Sequence, residues 1–304
     1  MIGQLQITAS GEIKDKVQMA TDILKHFEPK EGYYVAFSGG KDSQCIYHLC
    51  ELAGVKFDAH YNVTSVDPPE VVRFIKRNYP DVKFEYPRDR DGKVVTMWNL
   101  IPRKQMPPTR LARYCCEWLK ESAGQDRVTV TGVRWAESPN RAATHGVVNL
   151  IGKPKQTKKM ADEIGADYEL NKHGNIILNN DNEENRQLVE FCYRNRKTML
   201  NPIVDWADED VWQFLTWGGW EHCELYDQGK KRIGCIGCPM NTAAAAADLL
   251  HYTKYKQFYL RAFSRMLKVN EEKGLKSKQN WQTAEDVYRW WLKNENDNVQ
   301  EEDI

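Results

Sequence analysis

Nothing in the chain approaches the run of roughly 20 apolar residues that a membrane-spanning helix needs, so no membrane association is expected. The chain also lacks net charge: 43 Lys and Arg stand against 43 Asp and Glu. That balance excludes a whole-surface pull toward nucleic acid or anionic lipid and leaves only local patches to supply one. The opening MIGQLQITASGEIKD lacks the charged-then-apolar layout of a secretory leader. A cytoplasmic protein is therefore expected, with its eight cysteines reduced rather than paired in a disulfide framework. There is no internal repeat, and five alanines at 243–247 are the only low-complexity stretch. What is present, 41% hydrophobic and 11% aromatic residues in 304, suffices for one large core or two modest ones and excludes disorder of the whole chain.

Short β-branched or aromatic runs alternate with helical patterns, which predicts an α/β fold with a doubly wound parallel sheet. Strands are expected at Tyr33 to Phe37, Phe57 to Val63, Val82 to Tyr86 and Val128 to Val133. Helices are expected at Val17 to Phe27, at Asp42 to Ala53 (ended by Gly54), between Pro68 and Pro80, and near Leu111 to Glu121. The organisation read from this is an N-terminal helical segment (1–30), a nucleotide-binding α/β core (31–137), a surface insertion (138–200), a C-terminal part of the core (201–242) and a helical C-terminal region with an acidic tail (243–304). Within the insertion a helix is expected at Glu184 to Arg196, and Asp208 to Trp217 reads as a short helix with acids in its first turn. Residues 243–273 read as one long helix. Its apolar face carries Tyr252, Tyr255, Tyr259, Phe263, Met266 and Leu267, and another side carries Lys254, Arg261, Arg265 and Lys268. Residues 229–278 hold eleven Lys or Arg against three acids, a pattern that suits a solvated helix face, an anionic ligand or nucleic acid.

Two local patterns carry chemistry. In Tyr33-Tyr34-Val35-Ala36-Phe37-Ser38-Gly39-Gly40-Lys41-Asp42-Ser43, Ser-Gly-Gly stands between a strand and a helix. The absent side chains of Gly39 and Gly40 let a ligand meet backbone N–H groups, and the helix beginning near Asp42 adds its unsatisfied amides and positive dipole end. A polyphosphate is the natural occupant, with Ser38 and Ser43 as hydroxyl donors. The loop is too short for G-x-x-x-x-G-K-[ST], which excludes a Walker-type NTPase. The second pattern is the tandem Cys115 and Cys116 with the C-x-x-C of Cys235 and Cys238. Four such thiols suit an iron–sulfur cluster, a zinc site, or buried and redox thiols, and spacing does not choose among them. Cys45, His48 and Cys50, on a helix packed against the sheet, read as ordinary core.

The SGGKDS run resembles the pyrophosphate loop, S-G-G-x-D-S, of the adenine-nucleotide α-hydrolases (PP-loop ATP pyrophosphatases). Thr131-Gly132-Val133-Arg134 with Glu137-Ser138 and Arg141 looks like the G-x-R-x-x-E-S-x-x-R segment of the phosphoadenosine phosphosulfate (PAPS) reductase family. Asn201-Pro202-Ile203-Val204-Asp205-Trp206 followed by Asp210-Val211-Trp212 is similar to its N-P-[IL]-x-D-W-x-x-x-D-V-W block, and residues 232–239 to its C-terminal cysteine motif. These blocks span roughly residues 30 to 240. Arg134 and Arg141 fall just past a predicted strand, at the carboxyl edge where open α/β sheets bind ligands, with Glu137 as an ion-pair partner. Asn62 to Asp67 falls on the same edge and is expected near ribose or base. Lys41 occupies the motif's variable position, so no catalytic role carries over to it.

The resemblance implies ATP with Mg2+ as substrate and cleavage of the α–β bond. It implies catalytic Ser38, Asp42, Arg134 and Arg141, and nucleotide contacts from Ser38, Gly39, Gly40, Asp42, Ser43, Arg134 and Glu137. It also favours a [4Fe-4S] cluster on Cys115, Cys116, Cys235 and Cys238, because the family's cluster-bearing sulfonucleotide reductases combine Cys-Cys with C-x-x-C. One departure stands out: the reductases' nucleophilic E-C-G-[IL]-H motif has no match, and no cysteine follows Cys238. The chain is therefore nearer the subgroup that includes the DNA phosphorothioation enzyme and, more remotely, tRNA thiolases. That implies adenylylation of an acceptor followed by thiolation, with a cysteine desulfurase or thiol donor as partner, DNA or RNA as a candidate substrate, and a homodimer. The alternatives are a sulfonucleotide (APS or PAPS) reductase using an external thiol, and a non-catalytic nucleotide- or redox-sensing module that holds nucleic acid.

Overall fold

The computed structural model describes residues 5–7, 13–121, 123–152, 154–193, 197–275 and 280–297. A ladder of β1 (Leu5–Ile7) and β2 (Ile13–Asp15) precedes α1 (Lys16–His26), so the N-terminal segment expected to be helical also contains strand. The Asp15 carboxylate caps α1 by accepting from the Val17 amide at 2.8 Å. There follow β3 (Tyr33–Ala36), α2 (Lys41–Ala53), β4 (Phe57–Asn62), α3 (Pro69–Asn78), β5 (Lys83–Glu85), α4 (Met97–Lys104), α5 (Tyr114–Leu119) and β6 (Val128–Val130). Next come α6 (Pro139–Ala142), β7 (Val148–Ile151), α7 (Pro154–Ile164), β8 (Glu169–Leu170), β9 (Ile176–Leu178), α8 (Glu183–Cys192), β10 (Lys197–Leu200), α9 (Asp208–Gly218), α10 (Thr242–His251), α11 (Thr253–Glu272) and α12 (Ala284–Asp297). The last three residues of the helix expected at Glu184 to Arg196 lie outside the described residues.

Among the described residues the large sheet has eight strands in the order β5-β4-β3-β6-β10-β7-β9-β8. From β4 through β3 and β6 to β10 the pairings are parallel, with Val35 opposite Ala59 and Val130. The doubly wound expectation holds over this half. Because β3 pairs with β4 on one side and β6 on the other, the strand order reverses there, which opens a crevice at the carboxyl ends of β3 and β6. Beyond β10 the pairing turns antiparallel: Leu200 faces Val148, and Val148 faces Leu178. The stretch 138–200, expected as a surface insertion, thus extends the sheet. Its strands β7 and β9 are short apolar runs, almost wholly buried, whose signal is masked by the Gly, Asn and Lys around them.

The chain divides into two compact units. One comprises Met1–Tyr61, Arg73–Phe84 and Gly124–Gly229, and the other Asn62–Val72, Glu85–Ala123 and Lys230–Ile304. In the first, α2 buries Cys45, Ile46, Leu49 and Cys50 against the sheet and ends at Gly54, whose left-handed φ of 67° closes the helix. In the second, Tyr259, Phe263 and Met266 of α11 join Leu100 and Ile101 of α4 and Trp291 of α12 in one apolar cluster. The long helix expected over 243–273 is two helices. The break falls at Tyr252, whose ψ of 67° leaves the helical region and whose hydroxyl donates to Glu70 at 3.0 Å. Helix α4, absent from the predicted elements, holds Pro102 in its interior. The proline leaves the Trp98 carbonyl without its intrahelical donor, and Arg265 supplies one at 2.8 Å.

Candidate functional site

The phosphate loop leaves β3 at the crevice. Gly39 takes a φ of 73°, a left-handed value that glycine reaches without strain, and Gly40 is the N-cap of α2. The two serines are not equivalent. Ser43 is buried and its hydroxyl donates to the Gly40 carbonyl at 2.8 Å, clasping the turn, while Ser38 is exposed and donates to the Ser43 oxygen at 3.2 Å. The Ser38 hydroxyl is thus the one that faces solvent at the mouth of the loop. The Lys41 amide is capped by the Tyr226 hydroxyl at 2.9 Å, a partner 185 residues away for which the sequence has no local signal. Gly132 is required by contact rather than by φ: a Cβ there would stand 2.9 Å from the Asp42 backbone, so only glycine lets the segment after β6 press on the first turn of α2.

Arg134, expected as a catalytic and nucleotide-contacting residue, is held by acceptors of the protein itself. It is 2% exposed, and its three donor nitrogens are all engaged: Nε on Asp42 at 2.7 Å, Nη1 on the Trp206 carbonyl at 3.1 Å and Nη2 on Asp208 at 2.5 Å. Lys41, also buried, lies 3.5 Å from Asp42 and 3.3 Å from Asp208. Two cations and two carboxylates therefore form one cluster behind the loop. Burial disfavours charge on Asp208, but the hydrogen bond from Arg134 and the nearby Lys41 outweigh it and hold the carboxyl below its ordinary range. Asp208 carries no site signal in sequence, because its acidic first-turn position is explained by the helix dipole alone. Arg141 pairs with Glu137 at 3.4 Å, and Glu137 also accepts from the Arg134 amide at 3.2 Å. Asn201, fully buried, donates to Gly146 and Asn149 and accepts from Thr131, so the Asn-Pro block ties β10 to the segments after β6 and before β7. Cys45 and Cys50 are core as expected. His48 is buried, hydrogen-bonded to Tyr79 and stacked on Trp220 with ring centroids 3.9 Å apart.

In the second unit Cys115 lies within electrostatic reach of Cys116, Cys235 and Cys238. Cys115 donates to Cys116; that contact holds the Cys116 thiol below its ordinary range, helped by the Arg113 hydrogen bond and Lys120, and pushes Cys115 up. Burial pushes Cys235 up to about 11 against the pull of Lys120. The C-x-x-C turn is anchored on the apolar cluster: the Ile236 amide donates to Val66 at 2.8 Å and its carbonyl accepts from Tyr259 at 3.0 Å. Gly237 has a φ of 68°, and a Cβ there would lie 3.1 Å from Trp291. Within Asn62 to Asp67, Thr64 and Asp67 each stand 3.8 Å from the Cys235 sulfur. Among the described residues no three His, Cys, Asp or Glu side chains stand in metal-binding geometry. Four thiols flanked by Arg113 and Lys120 nevertheless suit, in donor type and charge, a soft anionic metal group.

The family profile for the phosphoadenosine phosphosulfate reductase domain matches residues 32–241. An uncharacterized protein of Methanocaldococcus jannaschii is 38% identical over 68 residues, which is 22% of this chain and 15% of that protein. Among solved structures, Candida glabrata FMN adenylyltransferase in complex with FAD and inorganic pyrophosphate aligns with a TM-score of 0.44 and 15% identity, over 73% of this chain and 62% of that one. The phosphate complex of phosphoadenylyl-sulfate reductase from Candida auris aligns at 0.42 and 13%, over 77% and 98%.

Proposed function

The chain belongs to the phosphoadenosine phosphosulfate reductase domain family, and we propose that it uses MgATP, breaking the α–β phosphate bond to adenylylate an acceptor that is then thiolated. The observation that carries this reading is the Ser38–Ser43 loop, an amide-rich turn over the α2 N-terminus at the point where the strand order of the sheet reverses. In the first step an acceptor oxygen bonds to the α-phosphorus, the bond from that phosphorus to the α–β bridging oxygen breaks, and the acceptor's proton leaves to solvent. Pyrophosphate departs with the bridging oxygen, its charge received by the loop amides and the Ser38 hydroxyl. In the second, the terminal sulfur of a persulfide carried by a cysteine-desulfurase partner bonds to the acceptor as AMP leaves with the activated oxygen, and a separate thiol then exchanges into the resulting disulfide, freeing the thiolated acceptor and ending as a disulfide with the partner's cysteine. Arg134 acts as a positioning residue that holds Asp42 beside the loop, and Arg141, oriented by Glu137, is the guanidinium assigned to the phosphates.

A competition titration of ATP against APS and PAPS on anaerobically purified protein tests the reading. ATP is expected to bind tighter by at least about tenfold, roughly 1.4 kcal/mol. Preference for APS or PAPS, with sulfite released on adding a thiol, overturns it in favour of a reductase.

Cys115, Cys116, Cys235 and Cys238 are the residues that would hold the proposed [4Fe-4S] cluster. Such a cluster supplies one-electron redox capacity when bound. The same preparation is expected to carry about four irons and four acid-labile sulfides per chain, the composition of the cluster. Cys235→Ser should lose both. One zinc per chain, or no metal, refutes the cluster and leaves the ATP titration to stand by itself.

A further inference from the structure

Helix α11 presents a second chemical surface, one that the nucleotide reading does not use. Lys254, Phe258, Arg261, Arg265 and Lys268 recur at spacings of four and three residues and are all exposed, which places them along one face of a 20-residue helix. From Lys254 to Lys268 the stripe runs about 21 Å at the helical rise of 1.5 Å per residue. No acid occurs between Thr253 and Asn270, and among the described residues Lys254, Arg261 and Lys268 have no carboxylate partner. A simple solvated face does not account for the aromatic ring at its centre. Phe258 is 39% exposed, although the opposite side of α11 offers a core in which Tyr259, Phe263 and Met266 are all buried. Its ring stands 5.4 Å from that of half-buried Trp98, and the two line a surface groove of about 590 Å³ together with Arg261, Ser264 and Arg265. Arg265 is held in place there by its bond to the Trp98 carbonyl.

An open groove with an exposed ring, a second ring beside it and guanidinium groups along its rim matches the requirements of an unpaired base with its flanking phosphates. The ring offers a stacking platform for any base, and the cations track the backbone. A duplex keeps its bases stacked and out of reach of such a ring, so the aromatic element selects for single strands. We infer that the α11 face is a binding surface for single-stranded nucleic acid, with one base stacked on Phe258 beside Trp98 and the phosphates on Lys254, Arg261, Arg265 and Lys268. The inference rests on the second unit alone and does not depend on which nucleotide the phosphate loop takes.

Fluorescence anisotropy of the full chain with labelled 20-mers of dT and rU, a 20-bp duplex, and poly-glutamate of equal charge as competitor tests it. The single strands should bind better than the duplex, with a log–log salt slope of about −3 for four phosphate contacts. Arg261→Gln should reduce that slope by about 0.7, the share of one contact. Phe258→Ala should weaken binding by about tenfold with the slope unchanged, and Phe258→Tyr should restore it, since a tyrosine ring stacks as well. Unchanged thermal melting in these surface variants excludes misfolding as the cause. The inference is overturned if Phe258→Ala leaves affinity intact, if duplex binds as tightly as single strands, or if poly-glutamate binds better than either, which would identify an acidic polypeptide as the partner.

Discussion

Arg134→Met is expected to lower the melting temperature of the protein by on the order of 10 °C. The guanidinium is almost wholly buried and serves three acceptors on two elements: Asp42 in α2, and Asp208 with the Trp206 carbonyl at the start of α9. Methionine fills much the same volume but leaves both carboxylates facing Lys41 alone and the carbonyl without its donor. Breaking a buried ion pair on one side costs about 3–5 kcal/mol, and the lower end applies because Asp208 is 58% exposed and water screens part of the interaction. About 3 kcal/mol corresponds to a shift of about 6–12 °C in a unit of this size. Arg134→Lys should recover only a minor part, since an ammonium lacks the planar fork that reaches three acceptors. Thermal unfolding followed by circular dichroism checks this. A shift within about 2 °C for Arg134→Met, below what 1 kcal/mol produces, would mean that the cluster contributes nothing and that the arginine's role lies with the ligand alone.

Ser38→Ala is expected to reduce MgATP-dependent pyrophosphate release by about 10²- to 10³-fold, the cost of removing one preorganised donor from developing charge. Stability should stay within about 0.5 kcal/mol, as for other exposed positions. Ser38 is exposed and its one donated bond goes to Ser43, so its loss leaves the turn clasped by the bond from Ser43 to Gly40. Ser43→Ala makes the contrast: it removes the clasp from a buried position and is expected to lower both turnover and melting temperature. Pyrophosphate assays on the two variants beside thermal melts separate a ligand donor from a structural one. Equal loss of stability in both, or unchanged pyrophosphate release in Ser38→Ala, contradicts the assignment of Ser38.

Much of the fold was legible because the signals are local. The strand at Tyr33 and the helix ended by Gly54 follow from short-range patterning and a left-handed cap, and both lie within a residue of where they were expected. The 138–200 stretch reads as a surface insertion because β7 and β9 are four- and three-residue runs, too short to show a period, and are stabilised by neighbours distant in sequence. Helix α4 was missed for a similar reason, since Pro102 argues against a helix unless Arg265 restores the orphaned carbonyl.

The phosphate loop, the family blocks and the four cysteines are legible in the chain's local order, because each depends on residue type at fixed short spacing. What those residues do with one another follows from packing. Packing makes Arg134 the buried anchor of Asp42 and Asp208 and Ser43 a clasp, lets Tyr226 cap the loop, and sets Asp67 beside the cysteine turn. Hydrogen bonds and ion pairs depend on distances of a few ångströms between segments up to 194 residues apart. Such distances are set by how the elements pack, and no local pattern encodes them.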